Sequence, residues 1–326
     1  MRHLLRIIAA ATVMIVVLGG GQSHADWPER PITIIVPFGQ GGATDLLGRL
    51  LARRLTMRLG EPVVVENSAG EVGNVGLRAA ARATPNGYTL LVTTNAALIN
   101  LAINPRLSIT SYNTPDDFAP IAYLGDSPNV IIAEQSSDIG SVPGLIAKAK
   151  ANPGRLTCAS PGIGSSSGMA VELLELRAGI SVNHIALNGS DMALHAVLSG
   201  GADIAAIGLG GMVDYIHSGK LKALVQTGEQ RWFDLPNVPT MAEAGIPNAV
   251  LETSFMFAAP TGTPPMVIDK LTRATKEILE RPDTKSQMLS VGINLRYEGP
   301  EVLRARIMRE LLMWMDIVKR AGLDKS

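Results

Sequence analysis

Apolar residues along this chain alternate between two rhythms. Short continuous runs predict buried strands: Pro31-Ile-Thr-Ile-Ile-Val-Pro37, Val63–Glu66, Tyr88–Thr93, Val130–Ala133, Leu156–Ser160, His184–Leu187, 202–207, 221–227 and Thr253–Ala258. Between them, apolar positions fall at helical spacing. Leucines at 46, 47, 50, 51, 55 and 59 mark a helix over 45–59, ended by Gly60 as a glycine cap. Further helices are predicted at 75–83, 142–151, 167–178, 190–199 and 211–218, a short one after the Pro-rich turn at 236–239, and long amphipathic ones at Pro264–Leu279 and Pro300–Ala321. Strands alternating with helices at this pace predict an α/β fold of βαβ units with a mostly parallel sheet. The pattern restarts after a polar stretch at 108–120, so two βαβ sets form two lobes.

The first residues break this rhythm. MRHLLR gives a basic start, IIAAATVMIVVLGGG an apolar run too short to span a bilayer comfortably, and Ser23-His24-Ala25 small residues before Asp26. This predicts a secretory signal peptide over 1–25, cleaved after Ala25, and a periplasmic protein. No cysteine follows the run, which excludes lipid anchoring there. Arg2 and Arg6 leave with the peptide, so the 29 bases fall to 27 against 29 acids. A near-neutral chain with 4% aromatics has neither a basic stripe nor base-stacking platforms, which argues against nucleic acid as a partner. Cys158 is the single cysteine, so no internal disulfide forms, and it reads as a buried strand residue. His184, His195 and His217 form no ligand-spaced pair, so no metal site is expected.

Two segments repeat one design: strand, Gly-rich loop, helix. They are Val36-Pro-Phe-Gly-Gln-Gly-Gly-Ala-Thr-Asp45 and Ala159-Ser-Pro-Gly-Ile-Gly-Ser-Ser-Ser-Gly168. Such loops lie at the carboxyl ends of strands, where open α/β sheets bind ligands, and the following helix start favours anions. Neither loop holds Lys or Arg, so an anion there rests on backbone N–H groups and hydroxyls. The expected carboxylate position is the helix start Gly164-Ser165-Ser166, with Gly41–Asp45 closing over it. Asp45 either receives a ligand ammonium or stabilises the first helical turn. Gly164-Ser-Ser-Ser-Gly168 also fits the G-x-S-x-G pattern of serine hydrolases, with Ser166 as nucleophile and Asp191 with His195, or Asp214 with His217, as partners. Those pairs lie inside helices of one lobe rather than on loops converging on the serine. No dinucleotide or Walker motif is complete, so no cofactor is expected.

The chain resembles the tripartite tricarboxylate transporter receptor family, the Bug or TctC-like extracytoplasmic solute receptors, over about residues 27–322. The markers are Trp27-Pro-Glu-Arg-Pro-Ile32, Val36-Pro-Phe with Gly41-Gly-Ala-Thr-Asp45, Val65-Glu-Asn67 with Gly73-Asn74, Pro85-Asn-Gly-Tyr-Thr-Leu90, Ile103-Asn-Pro105, Asp117-Phe-Ala-Pro-Ile121, Ser160-Pro-Gly-Ile-Gly-Ser165, and Val238-Pro-Thr with Glu243-Ala-Gly245. The resemblance implies a type II periplasmic-binding-protein fold: lobe one from 26–124 and 250–326, lobe two from 125–249, and crossing strands near 122–128 and 249–255. It implies a monomeric receptor rather than an enzyme. A small organic acid lies between the lobes, held by the two loops and bridging waters. By position the contacts are Phe38, Gly41, Gly42, Ala43, Asp45, Thr94 and Asn95 in the first lobe, and Ser160, Gly164, Ser165, Ser166 and Asn188 in the second. The implied partner is a membrane permease of the tripartite type, or alternatively a membrane sensor protein.

Three positions depart from the family pattern. Leu187-Asn188-Gly189 stands in place of Tyr-Lys-Gly, Gly208-Leu-Gly-Gly211 where many members have an Asp, and Leu101 where many have His. The cleft thereby loses an aromatic, a base and an acid, which points away from a standard dicarboxylate or acidic amino acid and towards a more apolar or monocarboxylate ligand.

Overall fold

The structure, a computed structural model, describes residues 27–324 apart from 108–111, 113–115, 188, 211 and 248. The signal peptide expected over 1–25, its cleavage after Ala25 and the binding candidate Asn188 lie outside the described residues.

The first βα series runs β1 (Ile32–Val36), α1 (Ala43–Leu59), β2 (Val63–Asn67), α2 (Asn74–Ala81), β3 (Thr89–Thr94) and α3 (Ala96–Ile103). In α1, the predicted leucine spacing works as read: Leu47, Leu50, Leu51 and Leu55 are buried against β1 and β3, each contributing about 1.5–3 kcal/mol. Gly60 ends the helix in the left-handed conformation, its N–H donating to the Thr56 carbonyl. A 17-residue strand, β4 (Phe118–Glu134), follows. The second series runs α4 (Val142–Ala151), β5 (Thr157–Ser160), α5 (Ser166–Ala178), β6 (Asn183–Ala186), α6 (Ser190–Leu198), β7 (Ile204–Gly208), α7 (Val213–His217) and β8 (Leu221–Gln226). The chain returns through β9 (Glu252–Pro260), α8 (Pro265–Glu280), α9 (Pro282–Leu289), β10 (Asn294–Glu298) and α10 (Pro300–Arg320).

The strand order is β2-β1-β3-β9-β4-β7-β5-β6, with β8 and β10 also on β4. Phe118–Pro128 of β4 pairs with β9, and Asn129–Glu134 pairs with β7 and β8. One strand thus belongs to two sheets, each covered on both faces by helices, and this makes the molecule two-lobed. The mostly parallel expectation is corrected. β1–β2, β1–β3, β5–β6 and β5–β7 are parallel, whereas every pairing of β4 and of β9 is antiparallel. These two strands run back against the βαβ strands they join. Residues 96–103 and 282–289 form helices and 294–298 a strand that the apolar pattern did not predict. The short helix expected after 236–239 is a set of turns: Ala244 N–H reaches the Thr240 carbonyl, but Gly245 N–H turns to Ala242 and the ladder stops.

Candidate functional site

A cavity lies where the two series face each other. It has a volume of about 100 Å³. Since a water needs about 10–15 Å³ by that measure, it takes a molecule the size of several waters. Four helices begin on its wall: α1 at Gly42, Ala43 and Thr44, α3 beside Thr94 and Ala96, α5 at Ser165–Ser167, and α6 at Gly189–Asp191. Phe38 and Phe255 supply aromatic surface, and Gly208, Gly210 and Thr253 complete much of the rest. The described lining contains no Lys, Arg or His, and Asp191 is its one ionisable side chain.

These helix starts differ in their free donors. α1 and α6 start from Gly42 and Gly189 with no side-chain cap, so no side chain of the helix start takes up their first-turn N–H groups. In α3, Ala96 N–H donates to Thr94 Oγ1 at 3.2 Å. The start of α5 caps itself: Ser165 Oγ accepts from Gly168 N–H at 3.0 Å and donates to the Gly162 carbonyl at 2.6 Å. The Ser165 hydroxyl is therefore committed to its own loop, which weakens the expected carboxylate position at 164–166 and favours α1.

Of the sequence candidates, Phe38, Gly42, Ala43, Thr94, Ser165 and Ser166 line the cavity; Gly41, Asp45, Asn95, Ser160 and Gly164 do not. Asp45 is buried and points inward. Its Oδ2 accepts from Gly41 N–H and Arg49 Nε, both at 2.9 Å, and its Oδ1 from Asn67 Nδ2 at 2.9 Å. Burial alone pushes its carboxyl up, but the bonds from Arg49, Gly41 and Asn67 outweigh that and hold it below the ordinary carboxylate value. With Asn67 Nδ2 also donating to the Phe38 carbonyl at 3.0 Å, Asp45 fastens the first loop so that Phe38 faces the cavity. The side chain of Asn95 turns away, donating to the Glu252 carbonyl at 2.9 Å.

Ser166 Oγ meets Thr253 Oγ1 at 2.6 Å and Asn129 Oδ1 at 3.3 Å; no histidine is among its partners. The nearest triad-like geometry is elsewhere. Ser160 Oγ lies 2.7 Å from His184 Nε2, and His184 Nδ1 lies 3.0 Å from Glu172 Oε1. With Glu172 accepting from Nδ1–H, Nε2 is left to accept the serine hydroxyl. Ser160 is fully buried and off the cavity wall, so its oxygen cannot reach a substrate. The trio ties β5, β6 and α5 together beneath the second loop. Cys158 is also fully buried, its thiol pushed up to about 12 by burial, which leaves it unreactive.

Sequence reasoning missed the site roles of Asn129, Thr253, Phe255 and Asp191. Asn129, fully buried on β4, accepts from Ser166, Ser167 and Thr253 hydroxyls and donates to the Leu251 carbonyl at 2.8 Å, so it sets the α5 start against both crossing strands. Thr253 and Phe255 come from β9, a strand whose own pattern says nothing about a cavity. Asp191 was considered only as a hydrolase partner. Glycines mark the contact between lobes: a Cβ on Gly164 would stand 1.8 Å from Asn100 Oδ1, and one on Gly210 2.5 Å from Ala43 Cβ. Behind Thr253, Glu252 is largely buried with no hydrogen bond to its carboxyl. Burial, reinforced by the neighbouring Asp126 and Glu229 carboxylates and opposed by Arg296, pushes its pKa up to about 7.

Two sheets sharing a strand, with a cavity between lobes walled by helix N-termini, define a solute-binding receptor of the periplasmic-binding-protein kind. The chain belongs to the tripartite tricarboxylate transporter family receptors, whose family model matches residues 47–323. It is 34% identical to Protein BugT of Bordetella pertussis over 322 residues, covering 98% of each chain. Among solved structures it is similar to the periplasmic binding protein BugD, with a TM-score of 0.86 and 31% identity over 92% of this chain and 100% of that one. Two further structures hold ligands. R. palustris Rpa4515 with adipate gives a TM-score of 0.87 at 28% identity, covering 91% of this chain and 98% of that one. MatC of Rhodopseudomonas palustris with bound malate gives 0.84 at 28%, covering 90% and 100%. None of the described helices is long and apolar enough to cross a membrane.

Proposed function

We propose that this receptor is exported to the periplasm with residues 1–25 removed, binds a small organic carboxylate in the cavity between its lobes as a monomer, and hands it to a tripartite-type permease without chemical turnover. Lobe one is formed by 26–124 and 250–326 and lobe two by 125–249, closing on each other about the 122–128 and 249–255 crossings. The observation that carries this reading is a cavity without a cation on which four helix N-termini open. Backbone N–H groups at a helix start, with the partial positive charge of the dipole, hold an anion without Lys or Arg. The uncapped start of α1 at Gly42–Thr44 is the best-placed anion site, with the α3 start and Thr253 beside it. The adipate and malate held by the two similar structures support the ligand class.

Calorimetry on the mature protein with a panel of small carboxylic acids, malate and adipate included, and their matched primary amides tests the reading. Acids are expected to bind and amides to fail, because only the charged form gains from the helix starts. Amides binding as tightly as acids would overturn it. N-terminal sequencing of periplasmic protein is expected to begin at Asp26.

A further inference from the structure

The cavity wall is electrically lopsided. Asp191, the second residue of α6, is exposed on that wall and has no hydrogen bond or ion pair with any described residue. By contrast, Asp45 is occupied by Arg49, Asn67 and Gly41, and Glu172 by His184. Elsewhere on the wall the groups are neutral hydroxyls, glycines, phenyl rings and the starts of α1, α3 and α5. An acid in the first turn of a helix ordinarily stabilises that helix, and Asp191 does so for α6. The same charge opposes the attraction of the α6 start for an anion, whereas Asp45, in the first turn of α1, has its charge offset by the ion pair with Arg49 at 2.9 Å. One side of the cavity therefore favours an anionic group at α1, and the other repels one.

We infer that the ligand is zwitterionic, bearing a cationic nitrogen that Asp191 receives while its carboxylate rests at the start of α1. This rests on the carboxylate reading above and narrows it to amino- or ammonio-carboxylates. A dicarboxylate spanning the cavity would set its second anion against Asp191. A plain monocarboxylate would leave Asp191 facing apolar carbon in a closing cleft, its hydration lost and nothing in return. A ligand ammonium meets the acid and makes a charge-assisted hydrogen bond.

The test is calorimetry of the mature wild-type and Asp191→Asn proteins with chain-matched probes of four and six carbons: aminoalkanoate, alkanoate, alkanedioate and alkylamine. At one length the wild type is expected to bind the aminoalkanoate about fivefold tighter than the alkanoate and about thirtyfold tighter than the dioate, as one partly exposed charge pair is made or inverted. Asp191→Asn is expected to remove that preference by weakening aminoalkanoate binding and strengthening alkanoate binding, its fold checked by circular dichroism. A dioate binding the wild type more tightly than the aminoalkanoate, or a nitrogen preference that survives in Asp191→Asn, overturns the inference and leaves the carboxylate reading standing. An alkylamine binding as tightly as the aminoalkanoate overturns the carboxylate reading instead. Failure of every probe to bind overturns the inference.

Discussion

Glu252→Gln should make the protein more stable at neutral and alkaline pH, although it removes a charge from the first residue of β9. The side chain sits at the start of β9, opposite Pro128 of β4. It has no hydrogen bond to lose. Asp126 nearby is already engaged, accepting from Tyr123 Oη and Asn294 Nδ2, both at 3.1 Å, with Arg296 at 3.4 Å. Burial and the Asp126 carboxylate raise the Glu252 pKa from 4.5 to about 7. In the unfolded chain the group returns to the ordinary value. Between pH 4.5 and 7 the folded state therefore binds more protons than the unfolded one, and this group's contribution to stability falls as pH rises, levelling off above about 7. The full rise corresponds to about 3 kcal/mol at 1.36 kcal/mol per pH unit, and partial solvent exposure reduces it to about 2 kcal/mol. Glutamine keeps the shape and removes the ionisation. Urea unfolding of both proteins at pH 5, 6, 7 and 8 is the assay. The variant should exceed the wild type by about 0.5 kcal/mol at pH 5 and by about 2 kcal/mol at pH 8, the other carboxylates cancelling between the two. A difference that stays constant across this range would refute the reasoning.

Two further substitutions probe the cleft and its support. Gly164→Ala puts a methyl where Asn100 Oδ1 lies 1.8 Å away, and Asn100 is held by bonds to the Val72 carbonyl and Asn74 Oδ1. Closure should be impeded, so small-angle scattering should report a larger radius of gyration while melting stays near wild type; an unchanged radius would count against a closed-state contact here. Asn129→Ala leaves the hydroxyls of Ser166, Ser167 and Thr253 without their shared acceptor, and urea unfolding should show a loss of about 3 kcal/mol. An undiminished unfolding midpoint would remove Asn129 from that role.

Local pattern determined a large part of this protein. Apart from the helix at 96–103 and most of β4, the strand and helix rhythm from 31 to 227 was readable because burial of a strand or one helix face leaves its period in adjacent residues. The collinear loops fixed the family, since a tight βα turn demands particular residues within a few positions. They also placed Phe38, Gly42, Ala43, Thr94, Ser165 and Ser166 near one cavity. What tertiary structure decided were relations between distant positions. β4 could not be read as one strand joining two sheets, because its partners lie up to about 170 residues away in β10. Asp45 and Ser165 looked like ligand contacts, yet each finds its hydrogen bonds within the protein, Asp45 with Arg49 and with Asn67 at the end of β2, Ser165 with Gly162 and Gly168. Asp191, Thr253 and Phe255 carry no local mark of a site. They reach the cavity only because α6 starts there and β9 passes beside β4, and the balance of charge on that wall exists only once those segments meet.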